Sequence, residues 1–158
     1  MKFTVYTEEF KTAISKVEKA TAKKAAIIAL ENIKISVEDN KCILYGSDVE
    51  QFVKTEIDVL NYTENLSFVF SDTKTVIKAI KFFKDNIIDF DFNTKDGNIK
   101  LQCGDKKATL TTIKTDLFPI YPEVEEENKY IYNAKKLSER YNLIKYAVSK
   151  TENKSIMT

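Results

Sequence analysis

Histidine and tryptophan are absent from this chain of 158 residues. Without histidine there is no Ser-His or Cys-His pair and no imidazole metal ligand. Glycine occurs three times, at Gly46, Gly97 and Gly104, too scattered for a phosphate-cradling loop. The two cysteines, Cys42 and Cys103, form neither a zinc-type cluster nor a disulfide framework; both read as small core residues inside apolar runs. Arginine occurs once, at Arg140, so bidentate reading of guanine edges is not expected. No run of 18 apolar residues exists, which leaves no membrane span. The start, MKFTVYTEEF, lacks a basic stretch followed by an apolar one and is not a signal peptide. The cytoplasm is the expected compartment, and neither a cofactor nor a metal is expected. Catalysis would rest on Asp, Glu, Lys or Tyr alone. No tight carboxylate constellation stands out, and the polar residues Tyr45, Asp48 and Glu50 read as turn-capping groups. The chain is not expected to be an enzyme.

What is present is a repeated order of elements. KFTVY (2–6) alternates as a strand does. Thr7 is placed to cap the following helix, with Glu8 and Glu9 in its first turn and Phe10, Ala13, Ile14 and Val17 at helical spacing. Three strand-like runs follow: ENIKISV (31–37), CILYG (42–46) and FVKTEIDV (52–59). LSFVF (66–70) then reads as a strand, and Ser71 and Asp72 offer a cap. Val76, Ile77, Ala79, Ile80 and Phe83 define a second helix face. IIDFDFN (87–93), NIKLQC (98–103) and ATLTTI (108–113) alternate again. The order β-α-β-β-β thus occurs twice, with ENIKIS echoed by GNIKLQ. Two such units predict an α+β domain over 1–122, with two antiparallel sheets outside and two helices on one side. An acidic linker (123–128) follows. YIYNA (130–134) with Leu137, Tyr141, Ile144 and Val148 predicts a further β-α over 129–158, the truncated start of a second domain of the same kind, whose apolar helix face lacks a sheet to cover it.

The formal net charge is +1, so the distribution of charge says more than its sum. Lys11, Lys16 and Lys19 fall opposite the apolar stripe of the first helix, and Lys23 and Lys24 follow it. Lys74, Lys78 and Lys81 cluster opposite Val76, Ile80 and Phe83 on the second. Acids gather elsewhere, among them Asp89, Asp91, Asp96 and Glu123 to Glu127. Lysines on an outer helix face are ordinarily just solvated. Two such faces in one domain also fit a polyanion, most simply nucleic acid held through phosphates without sequence preference. No interleaved aromatic residue sits on those faces, so stacking on single-stranded bases is unsupported.

MKFTV before a helix, LENIKIS, GSDVE (46–50), LFPIYP (117–122) and YAVSK (146–150), in this order, resemble the bacterial sliding clamps, the beta subunits of DNA polymerase III. GSDVE is similar to the family's Gly-Thr-Asp-Leu-Glu, and FPIYP to its Phe-Pro-x-x-Pro. The resemblance implies the DNA-clamp fold, with helices lining a ring around double-stranded DNA, self-association of clamp protomers, and a processivity function without catalysis. Replicative polymerase and clamp loader are the partners of the full-length family, bound at a pocket between later domains that this chain does not reach. Lys24 matches a DNA-contacting basic residue after the first helix. Thr73 and Lys74 match positions at the hole or ring interface, and Lys150, Thr151, Ser155 and Ile156 match a loop that also reaches DNA. With Lys19, Lys78 and Lys81 from the helix faces, these make up the expected DNA-binding set. The chain departs from the family at Ile28-Ala29-Leu30, where Pro-Ile-Leu is usual, and at Lys78 and Ala108, where apolar residues are expected at the ring interface. An alternative is a truncated, stand-alone paralogue acting as a protein-interaction module on a full-length clamp.

Overall fold

A computed structural model describes residues 1–120 and 130–148. The chain divides into two units, 1–122 and 123–158.

In the first unit the elements run β1 (Lys2–Tyr6), α1 (Thr7–Val17), β2 (Lys34–Glu38), β3 (Lys41–Ser47), β4 (Phe52–Asp58), β5 (Asn61–Tyr62), β6 (Leu66–Phe70), α2 (Thr73–Ile80), β7 (Ile87–Asn93), β8 (Asn98–Cys103) and β9 (Lys106–Ile113). One-turn 3-10 helices at Glu18–Ala20, Ile28–Glu31 and Thr115–Leu117 punctuate the connections. The β-α-β-β-β repeat is therefore present twice, with the two-residue β5 as an addition the alternation does not signal.

All ladders are antiparallel, in the order β4-β3-β2-β6-β9-β8-β7-β1-β5. The expected pair of sheets is joined through β9. Its first part, Lys106 to Thr111, pairs with β8, while Thr112 and Ile113 pair with β6. The repeats also exchange their first strands. β1 pairs with β7 of the second repeat, and β6 pairs with β2 of the first. One sheet thus holds β2, β3 and β4 with β6, and the other holds β7, β8 and β9 with β1 and the short β5, which ties the repeats into one core.

Alternation decides what enters that core. Phe3 and Val5 of β1, Ile88 and Phe90 of β7, and Ile99 and Leu101 of β8 point inward and meet Phe10, Ile14 and Val17 of α1 and Val76 and Ile80 of α2. Phe3 and Phe90 stack at 4.4 Å between ring centroids, and Phe10 lies tilted on Phe90 at 5.1 Å. Each such side chain contributes about 1.5–3 kcal/mol when fully buried. Cys42 and Cys103 are buried in the same core, and burial pushes the Cys42 thiol up to about 12, so it is a packing group. On the opposite side of β6, Val69 packs with Ala29 and Phe118 in a smaller cluster. Lys34 Nζ sits 5.4 Å from the Tyr45 ring centroid and 6.0 Å from that of Phe118. The Phe of the LFPIYP segment is thereby anchored.

Two details depart from expectation. Thr7 is not the cap of α1. Tyr6 occupies that position without a side-chain cap bond, and the Thr7 hydroxyl donates to Asp85 O at 2.6 Å. The exchange of strands brings the start of α1 against the entry to β7, so Thr7 ties the two repeats together. Asp72 does cap α2, accepting from Thr75 N at 3.1 Å and from the Thr75 hydroxyl at 2.6 Å, while the Ser71 hydroxyl donates to Thr111 O.

In the second unit, α3 (Ala134–Ile144) is capped by Asn133, whose side chain accepts from Lys136 N at 3.1 Å. Residues 130–133 are not a strand. Alternation supplies two faces, but a strand also needs a ladder partner, and none is found among the described residues. Leu137, Tyr141, Ile144 and Val148 are exposed.

Candidate nucleic-acid interface

The apolar stripes of α1 and α2 are spent on the core, so their other faces look outward. On α1, Lys16 is exposed, and Lys19 follows on the one-turn helix. Lys11 leaves the set. Its Nζ donates to Glu8 Oε1 and to Phe83 O, both at 2.8 Å, so its charge is engaged within the fold. Beyond α1 the chain turns through 21–27 and is held in place by Ala22 N donating to Leu30 O at 2.9 Å and Ala25 N donating to Glu31 Oε1 at 3.0 Å. Lys23 and Lys24 are exposed on this pinned segment.

Lys19, Lys23 and Lys24, with Thr21, Ala22 and Asp48, line an open depression of 740 Å3. A second depression of 400 Å3 is lined by Lys11, Thr12, Ser15, Lys16 and Lys19. Lys19 belongs to both, so the lysines from Lys16 to Lys24 border one continuous surface. Asp48 is the carboxylate lining these two depressions, and Lys16 also lines a neighbouring one with Glu8, Glu9, Glu56 and Asp58. Its Oδ1 accepts from Glu50 N at 3.1 Å and Gln51 N at 2.7 Å, the turn-capping role read from the sequence.

On α2, Lys74, Lys78 and Lys81 are exposed. Asp72 is held below its ordinary carboxylate value first by the Thr75 hydroxyl and backbone, with Lys78 adding to the effect. Thr73 does not belong with these lysines. It is 2% exposed, its hydroxyl accepts from Ile33 N at 3.0 Å, and its N donates to Asn32 Oδ1 at 2.8 Å. Every polar atom that could reach a phosphate is already bonded inside the fold. Lys150, Thr151, Ser155 and Ile156 lie outside the described residues.

The ion pairs among the described residues are Lys2–Asp91, Lys11–Glu8, Lys41–Asp58 and Lys54–Glu56. None of Lys16, Lys19, Lys23, Lys24, Lys74, Lys78 and Lys81 pairs with a described carboxylate. The outer face of the sheet differs. Asp89 and Asp91 of β7 stand there beside Lys2, Lys100 and Lys107, so that face is mixed in sign rather than acidic. The arrangement offers point charges for an extended anion. Among the described residues no cluster of three or more His, Cys, Asp or Glu could hold a metal, and no helix is long and apolar enough to cross a membrane. The sequence reading found no aromatic residue among the α2 lysines; Phe82, in the turn just past α2, is exposed.

Comparison with known proteins agrees with this architecture. The family model described as DNA polymerase III beta subunit, N-terminal domain, matches residues 1–122. A beta sliding clamp of Lactococcus lactis is 27% identical over 164 residues, covering 100% of this chain and 43% of the relative. The crystal structure of the beta subunit from DNA polymerase of Streptococcus pyogenes superposes with a TM-score of 0.88 at 25% identity, over 100% of this chain and 42% of that one. The DNA polymerase III beta subunit of Thermotoga maritima gives 0.83 at 25% identity, over 96% and 40%. The chain thus spans less than half the length of these relatives. Through the match over 1–122, this chain belongs to the DNA polymerase III beta subunit family, as a carrier of its N-terminal domain.

Proposed function

We propose that the chain acts as the N-terminal portion of a DNA sliding clamp, a processivity factor without catalysis of its own. The outward faces of α1 and α2 meet duplex DNA and hold its phosphates loosely, without reading sequence. The observation that carries this is the run of lysines at 16–24 and on α2: seven exposed lysines form no ion pair with a described carboxylate, although Lys16 shares a depression with Glu8, Glu9, Glu56 and Asp58. Lysine point charges on a rigid helix face attract a polyanion and let it slide, since no base-specific bond must break. In a ring of clamp protomers this face would line the hole, and the replicative polymerase and clamp loader would engage parts of the protomer beyond this chain.

The test removes equal charge from two faces. Lys74→Gln, Lys78→Gln and Lys81→Gln together are expected to weaken duplex binding at low salt by at least about tenfold. Lys2→Gln, Lys100→Gln and Lys107→Gln together change net charge equally and are expected to leave binding within about twofold. Equal losses from both sets would reduce the effect to net charge and contradict a dedicated face.

A second reading rests on α3. Its exposed Leu137, Tyr141 and Ile144 suit a chain that docks on a full-length clamp as an interaction module. Titration against a full-length clamp tests it; no complex at micromolar concentration would contradict it.

A further inference from the structure

The segment that carries Lys23 and Lys24 is neither helix nor strand, yet its backbone is tethered. Ala25 N, the amide next to Lys24, donates to Glu31 Oε1 at 3.0 Å. Among the described residues this is the one hydrogen bond made by the backbone of 23–26. Glu31 itself stands on a fixed base. It closes the 3-10 turn Ile28–Glu31, whose Ala29 and Leu30 are buried. The next residue, Asn32, is also buried. Its Nδ2 donates to Ile28 O at 3.0 Å, and its Oδ1 accepts from Thr73 N at 2.8 Å. Ile33 N donates to Thr73 Oγ1 at 3.0 Å. The backbone beside Lys24 is thereby tied, through Glu31, to a point fixed against the start of α2. The Glu31 carboxylate forms no ion pair with a described lysine. It holds the backbone and leaves the charges of Lys23 and Lys24 to an outside anion. A carboxylate accepting from a backbone N–H makes a charge-assisted bond, stronger than a neutral one. Two lysines on a tethered backbone lose less freedom on binding than two on a slack one.

We propose that Glu31 is a positioning residue for DNA: its carboxylate presets the loop that presents Lys23 and Lys24 to phosphates. This rests on the reading of the lysine surface as a DNA contact. The sign is the opposite of what charge alone gives. An acid beside a phosphate-binding surface opposes the polyanion, yet its removal is expected to weaken binding. Fluorescence anisotropy of the full chain with a mixed-sequence duplex, over a range of salt, reads the effect. Glu31→Ala is expected to bind about threefold more weakly at low salt, with the slope of log K against log salt shallower by about 1. Glu31→Gln, which loses the charge but keeps an acceptor oxygen, is expected to bind at least as tightly as the unaltered chain. Hydrogen exchange at Ala25 N is expected to quicken in Glu31→Ala and not in Glu31→Gln. On top of Glu31→Ala, Lys23→Gln with Lys24→Gln is expected to cost less affinity than it does alone. Unchanged or tighter binding in Glu31→Ala overturns the proposal. So does an equal loss in Glu31→Gln, an Ala25 amide that exchanges no faster in Glu31→Ala, or full additivity with the lysine pair. Duplex binding that is undetectable in the unaltered chain, or indifferent to the lysine pair, overturns instead the reading of the lysine surface.

Discussion

Thr7 and Thr73 occupy the same place in the two repeats and do the same job. Each is the first residue of its helix and each is buried. Each bonds to the residues that lead into the second strand of the other repeat: Thr7 to Asp85 O and Asn86 O, Thr73 to Asn32 Oδ1 and Ile33 N. The pairing follows from the exchange of leading strands. Because β1 lies beside β7 and β6 beside β2, each helix starts where the other repeat turns into its sheet.

The two threonines are not equal in what their loss would leave behind. In Thr73→Val the buried Ile33 N–H loses its acceptor, and an orphaned buried donor costs about 2 kcal/mol. In Thr7→Val the Asp85 carbonyl keeps a weak contact with Cys103 Sγ at 3.6 Å, and the cost falls to about 1 kcal/mol. Urea unfolding of both variants gives the order. Duplex affinity of folded Thr73→Val is expected to match that of the unaltered chain.

Gly46 marks a close approach between α1 and β3. A Cβ there would stand 2.6 Å from Val17 O and 2.7 Å from Val17 Cγ1. Backbone blocks the space, so Gly46→Ala forces the end of α1 off the sheet and is expected to cost about 2–3 kcal/mol. A thermal midpoint unchanged in this variant would contradict the packing.

Val49 sits at φ 82° and is 58% exposed. A β-branched residue in this left-handed region is strained, and its side chain gains little from burial in return. Val49→Asn is expected to raise stability by about 1 kcal/mol, read as a higher urea midpoint with an unchanged slope.

Asp72 caps α2, and Asp72→Ala is expected to cost about 1 kcal/mol at neutral pH. The Thr75 bonds hold the folded carboxyl below its ordinary value. Its contribution is therefore present above the unfolded value and is lost as pH falls through the lower folded one. The stability gap between Asp72→Ala and the unaltered chain is expected to narrow on acidification through that range. A gap independent of pH would mean that the carboxylate charge does not matter to the cap.

Much of this fold is legible in the residues. β7 and β8 follow their alternating runs to the residue, because one wet face and one buried face impose a period of two, and β6 matches its apolar run with side chains buried on both faces. The outward lysines follow from helical periodicity in the same way. Alternation assigns faces but not neighbours, however, so neither the exchange of β1 and β6 nor the joining of the sheets through β9 could be read. The misplacement of Thr7 as a cap and of Thr73 as a DNA contact follows from that gap, since both roles depend on which strand lies alongside. Lys11 illustrates another limit: its periodicity is outward, but its length lets Nζ reach back to the Phe83 carbonyl just past α2. YIYNA alternates convincingly, yet no ladder partner lies within the described residues to make it a strand.

The most direct measurement is the salt dependence of duplex binding by the full chain. Engagement of five of the outward lysines gives log K falling against log salt with a slope of about −4 to −5, the same for unrelated duplex sequences. A flat response, or a preference for one sequence that persists at high salt, would contradict the account of a sliding, phosphate-holding face.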